Sequence, residues 1–328
     1  MIRSFGCGMV ALAVFLTGSG DDLRTPPDQS RDARQLVAEL RANDAVTRTR
    51  AACELRELGD GAAEAIEPLV ALLDDASPVE PTVCDRRWWR GSNDDVTTPG
   101  EQAASALVAI GSRAVTAVLA AVQRPSWVAR KNAAWALGAL DDPRAVKPLI
   151  DVIRDREPQV REQAAWALGA LDDRAAVPAL LTALKDDNPR VRKQAAWALG
   201  AIDDPRAVQP LTEVLTDSDE HARQQAAWAL GAIDDRAAVQ PLIHALGDSS
   251  AGVRKQAAWA LGAIDDEGAV DGLVRALSDQ AAGVRSQAAW ALGAIGNTRA
   301  LNGLLAALKD QDASVRRQAA WAIGVIGK

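Results

Sequence analysis

Tryptophan recurs along this chain at a fixed step, and a side-chain amide keeps the same step three residues before it. Trp135, Trp166, Trp197, Trp228, Trp259, Trp290 and Trp321 are spaced 31 residues apart, as are Asn132, Gln163, Gln194, Gln225, Gln256, Gln287 and Gln318. An indole offers a broad apolar face that takes apolar or cationic groups, and a primary amide offers donors and an acceptor that pair with polypeptide backbone. Arranged in register, these groups do binding chemistry rather than bond-making chemistry.

Catalytic groups are scarce. The only histidines are His221 and His244, which belong to no ligand-spaced cluster. A zinc site would need Cys or His pairs, and neither occurs. No glycine-rich phosphate loop or nucleophile motif appears, and the recurrent Leu-Gly reads as a packing glycine. The expectation is therefore no catalytic residue, no metal and no cofactor. The net charge is −7, with cations and anions alternating within each repeat. That argues against a nucleic-acid binder, which needs a concentrated basic face.

A repeat of 31 residues is one supersecondary unit that must stack on its neighbours to bury a core. Asp173-Arg-Ala-Ala-Val-Pro-Ala-Leu-Leu-Thr-Ala-Leu184 reads as a first helix, with Val177, Leu180, Leu181 and Leu184 on one stripe. After the acidic turn Lys185-Asp-Asp-Asn188, the run Pro189 to Ile202 reads as a second helix. Asp173 and Asn188 are placed to cap them, with Pro189 in the first turn. Two further second helices are degenerate, with Cys53 and Ser105 in the tryptophan position. The expected fold is all-α, an α-solenoid of about nine stacked helix pairs over residues 33–328.

Three stretches depart from the pattern. Residues 1–20 carry Arg3 and then an apolar run over 8–17 followed by small residues, which predicts a secretory signal and a secreted or periplasmic protein. The run is too short to span a bilayer, which takes about 20 residues, so no stable membrane span is expected. Residues 21–32 are a polar linker. Residues 75–100 interrupt the second repeat with a loop containing Arg86, Arg87, Trp88, Trp89 and Arg90. This cationic, amphipathic run either folds over the groove mouth or meets a partner, or it merely packs on the first repeats. Beyond the signal only Cys53 and Cys84 remain, a pair that can bridge in an oxidising compartment; otherwise Cys53 is a small buried apolar residue.

At 100° per residue, Val160, Leu171, Ala164 and Leu168 define the buried stripe of a second helix, with Gln163 and Trp166 on the opposite face. Two covers for that tryptophan remain open: the alanine and glycine of an adjacent second helix, or an extended partner. Arg130, Arg161, Arg192, Arg223, Arg254, Arg285 and Arg316 form another column at the edge of the core. The doublets Asp141-Asp142, Asp172-Asp173, Asp203-Asp204, Asp234-Asp235 and Asp265-Asp266 form a further one. The two are expected to pair as an inter-repeat ladder.

The run Val191-Arg-x-x-Ala-Ala-x-Ala-Leu-Gly-x-Ile202, followed by Asp204-Pro-Arg-Ala-Val208 and Pro210-Leu211, resembles the HEAT-like repeat of the phycobilisome-lyase class. The resemblance covers residues 33–328 and implies that the face bearing Trp and Gln lines a concave groove. It implies several functions, since such repeats serve pigment lyases, a metal hydroxylase and binding scaffolds. The hydroxylase uses His-Glu pairs, and this chain has none. The expected function is a non-catalytic scaffold binding a protein or extended peptide through Trp135, Gln163, Trp166, Gln194, Trp197, Gln225, Trp228, Gln256, Trp259, Gln287, Trp290 and Trp321. The alternative is a lyase-type or enzyme-accessory protein whose groove holds a small ligand. Weak self-association through the C-terminal repeat is a further expectation.

Overall fold

The computed structural model describes residues 32–84 and 96–327. The predicted signal, nearly all of the linker, and Arg86, Arg87, Trp88, Trp89 and Arg90 lie outside the described residues. The structure is an α-solenoid, with no strand among the described residues. The chain divides after Val152 into two compact units.

The first unit holds α1 (Ala33–Glu39), α2 (Ala45–Leu58), α3 (Ile66–Leu72), α4 (Pro99–Ile110), α5 (Val115–Ala121), α6 (Trp127–Ala139) and α7 (Val146–Val152). Gly59 and Gly111, at φ 56° and 81°, turn the chain at the ends of α2 and α4. A residue with a Cβ resists that conformation. Pro99–Ala121 is apolar and long enough to cross a bilayer by composition, but the turn at Gly111 splits it into α4 and α5.

The second unit holds α8 (Pro158–Ala170), α9 (Val177–Ala183), α10 (Pro189–Ile202), α11 (Val208–Val214), α12 (Glu220–Ile233), α13 (Val239–Ala245), α14 (Ala251–Ile264), α15 (Val270–Ala276), α16 (Ala282–Ile295), α17 (Leu301–Ala307) and α18 (Ala313–Ile326). The first helix of a pair is shorter than its sequence pattern suggests, because its opening turn is 3-10 helix. Asp173 caps that turn by accepting from the Ala175 N–H at 2.8 Å. Asn188 likewise accepts from Arg190 N–H at 2.9 Å, with Pro189 in the first turn of α10. Leu180, Leu199, Leu211 and Leu230 are fully buried, each worth roughly 1.5–3 kcal/mol of burial. Val160, Ala164 and Leu168 are also at 0% exposure, whereas Leu171, the residue that caps the C-terminus of α8, is only half-buried.

The two layers of this unit pack differently. A methyl group on Gly200 would stand 2.7 Å from Cα of Ala229, so α10 and α12 touch backbone to backbone. In the layer of first helices, Gly272 of α15 faces the Ile243 and Leu246 side chains instead. Small residues thus draw the second helices closer than the first, which makes their layer the inner one.

The arginine column does form an inter-repeat ladder, but not with the aspartate doublets. Arg161, Arg192, Arg223, Arg254 and Arg285 grip Asp186, Asp217, Asp248, Asp279 and Asp310 at two points each, at 2.6–2.9 Å. Geometry explains the correction. The arginine sits in the first turn of a second helix, and a doublet follows its last turn, about 17 Å away along the helix axis. The acidic turn of the next repeat lies beside the first turn.

Each doublet instead splits its work between two caps. Asp141, Asp172, Asp203, Asp234 and Asp265 adopt left-handed backbone, φ 49° to 55°, just past a second helix. Their partners Asp142, Asp173, Asp204, Asp235 and Asp266 cap the following 3-10 turns.

Candidate partner-binding face

The inner layer of the second unit carries the tryptophan column. Trp166, Trp197, Trp228, Trp259 and Trp290 are half-buried, and Trp321 is 45% exposed. Cζ3 of Trp197 stands 2.8 Å from where a Cβ of Gly169 would be, and Trp228, Trp259, Trp290 and Trp321 meet Gly200, Gly231, Gly262 and Gly293 in the same way. One edge of each indole is thus spent on packing against the preceding second helix. The rest of the ring keeps a share of its surface open, so the tryptophan has a structural role without being consumed by it.

The amides share that face. Gln163, Gln194, Gln225, Gln256, Gln287 and Gln318 are half-buried, and among the described residues none has a hydrogen-bond partner. Trp228, Trp259, Gln256, Gln287 and Lys255 line an open recess of about 320 Å³. It juxtaposes two indoles, two amides and one ammonium group. His221 and His244 are both exposed, and no group of three metal-ligating side chains occurs among the described residues.

The first unit uses the same positions for its own structure. Trp135 is half-buried, but Asn132 is 3% exposed and donates through Nδ2 to the carbonyl of Leu73 at 2.9 Å. Gln102, in the amide position of the second repeat, is 2% exposed and donates to Thr97 Oγ1 at 3.0 Å. Thr97 pairs through its backbone with Val79, and Cys84 is disulfide-bonded to Cys53, which stands in the tryptophan position of the first repeat. The described flanks of the 75–100 insertion therefore lie over this face.

One substitution here was not read from the sequence. Arg56 occupies the place of the packing glycine, and Ser105 that of the tryptophan that would press on it. The Arg56 guanidinium takes up that space, donating to Gln102 Oε1 at 3.2 Å, and burial pulls its pKa down. Its Nη2 is buried without a partner. A glycine-to-arginine change opposite a tryptophan-to-serine change was the available signal.

An α-solenoid whose inner layer presents a regular side-chain ladder defines the class of helical-repeat scaffolds. Residues 100–158, 146–224, 209–292 and 272–328 match the HEAT repeats family, and residues 47–75 match the PBS lyase HEAT-like repeat. The chain belongs to the HEAT-repeat family. Comparison with curated proteins gives no match. Among solved structures, yeast importin-β (Kap95p) superposes with a TM-score of 0.66 at 18% identity, over 90% of this chain and 46% of its own. The Kap95:Nup1 complex gives 0.65 at 18% identity, over 89% and 46%. YibA of E. coli gives 0.59 at 19% identity, over 84% and 94%. This chain thus spans about half the length of importin-β, and the likeness is one of fold.

Proposed function

We propose that the protein is a non-catalytic scaffold whose inner Trp–Gln face binds an extended segment of another protein. The observation that carries this reading is the pairing of half-open indoles with unpartnered amides, repeated at one step along α8 to α18. Aromatic faces take side chains of the partner, and amides take its backbone. A small-ligand groove of the lyase type is the weaker reading, because ligand pockets enclose most of their ligand and this recess is open. That importin-β, a protein of the same fold, is seen in complex with Nup1 agrees with a protein partner. Export is part of the proposal, and the Cys53–Cys84 bond supports an oxidising compartment.

Tryptophan fluorescence tests the reading. Titration with extended peptides should quench or shift the emission of the full chain, and the double variant Trp197→Ala, Trp228→Ala should weaken binding by at least about tenfold, as loss of two aromatic anchors does. A response to tetrapyrrole-like ligands with none to peptides would favour the small-ligand groove instead.

A further inference from the structure

If the Trp–Gln face takes an extended peptide, the charges beside it name the chemistry of that peptide; the inference rests on that reading. The residue immediately before each amide is Glu162 on α8, then Lys193, Gln224, Lys255, Ser286 and Arg317 on α10 to α18. From α10 onward this column holds a cation on every second repeat and no anion. In the first unit the same position is neutralised, Lys131 meeting Glu101 at 3.3 Å. Lys193, Lys255 and Arg317 have no carboxylate partner among the described residues. Of the ladder arginines on the same helices, Arg192 pairs with Asp217 and Arg254 with Asp279, while Arg316 donates to the carbonyls of Asp310 and Gln311. Arg190 on α10 and Arg316 on α18 also have no carboxylate partner among the described residues, so what sets this column apart is its place in sequence directly beside the amides of the Trp–Gln face.

Lys255 is also placed to act with the ladder. It lines the recess with Trp228, Trp259, Gln256 and Gln287, and its stem lies over Gly283 of the next second helix, 3.9 Å from where a Cβ would stand. The one carboxylate in the first turn of these helices, Glu220, acts on Arg223, on the core edge of α12.

We propose that the partner is an acidic, extended polypeptide segment whose carboxylates meet Lys193, Lys255 and Arg317. Successive cations are two repeats apart, about 16–20 Å for helices packed 8–10 Å apart. An extended chain covers that distance in about five or six residues, so the segment should carry Asp or Glu at that interval. Three cations so widely spaced are too sparse for a nucleic acid, whose phosphates follow one another every few ångströms. The amides and indoles between them suit backbone and side chains instead.

The test uses the full chain and two synthetic peptides of about 24 residues, long enough to pass all three cations. One carries Glu at every sixth position in a Ser/Thr/Leu background, and the other carries Gln there. The Glu peptide should bind at least about tenfold tighter at low ionic strength, and the preference should fade with added salt. In K193E/K255E/R317E the preference should vanish or invert, while the melting curve stays close to that of the parent, since none of the three side chains has a partner to lose. Equal binding of both peptides would overturn the acidic partner and leave the peptide face standing. Silence from both peptides would remove the peptide reading itself, and binding of polyphosphate with both peptides silent would point to a different ligand class.

Discussion

Arg192 and Asp217, twenty-five residues apart, close a two-point ion pair, Nε to Oδ2 at 2.6 Å and Nη2 to Oδ1 at 2.7 Å. Nη1 of the same guanidinium donates to the carbonyls of Asp186 and Asp187 in its own acidic turn. Asp186 in turn accepts Arg161 on its carboxylate. Each aspartate thus holds the arginine before it by side chain and the arginine after it by backbone. The ladder runs unbroken from Arg161 to Arg316, which among the described residues keeps only the carbonyls of Asp310 and Gln311.

That geometry predicts what the pair contributes. The two side chains are 13% and 11% exposed, so loss of one leaves the other largely desolvated. Arg192→Ala should destabilise the second unit by about 2–4 kcal/mol, and Arg192→Lys by about half as much, because an ammonium cannot make the fork and reach the carbonyls together. Urea unfolding of the single and double variants with Asp217→Ala measures the coupling; a value under about 0.5 kcal/mol would remove the ladder as a stabilising device.

The inner layer predicts a contrast between two glycines. Gly200→Ala would drive a methyl group into Ala229, and the displacement should cost about 1–3 kcal/mol. Gly324→Ala meets nothing within 4 Å, and on a helix it should gain about 0.5–1 kcal/mol. Thermal melts of the two variants are enough. Equal effects would mean that the second helices are not held at backbone contact.

Two sets of aspartates titrate in opposite senses. For Asp186, Asp217 and Asp248 burial is the largest single influence and opposes ionisation, but the arginine hydrogen bond, a backbone N–H bond and the arginine charge together outweigh it; for Asp279 and Asp310 the arginine bond is the largest influence. All five are held below the ordinary 3.8, so their contribution is present above pH 3.8 and lost as pH falls through the lowered values. Asp203, Asp234 and Asp265 are pushed above 3.8, by burial first, with neighbouring aspartates adding to it. Their contribution is full below 3.8 and lost as pH rises through the raised values. Melting temperature should therefore hold or rise slightly from neutrality down to about pH 4, then drop steeply. A steady fall over the upper range would contradict the assignment.

Asp234→Asn separates the second set. Asparagine tolerates left-handed backbone and removes a negative charge from a helix C-terminus, so it should add about 0.5 kcal/mol at neutral pH and almost nothing at pH 3. A gain that does not change with pH would assign the effect to backbone conformation and not to charge.

Cys53 and Cys84 close a loop of 31 residues. Reduction, or Cys53→Ala with Cys84→Ala, should cost the first unit about 3–4 kcal/mol on chain-entropy grounds. It should leave α8 to α18 unchanged. Limited proteolysis with and without reductant reads this out, and equal protection of the first unit in both conditions would count against it.

By itself the sequence determined the architecture. A 31-residue period with alanine and leucine at helical spacing has one way to bury its apolar face, and capping residues mark where each helix begins. It also determined which side of the second helix bears Trp and Gln, because a helical wheel depends on local geometry alone. Only the tertiary structure decided which aspartate meets which arginine, since both candidate columns repeat with the same period and helix length alone separates them. It likewise decided how the tryptophan column is covered. The wheel sends each indole away from its own core, but the depth to which it sinks depends on how closely two glycine-lined helices approach, and that distance belongs to the stack.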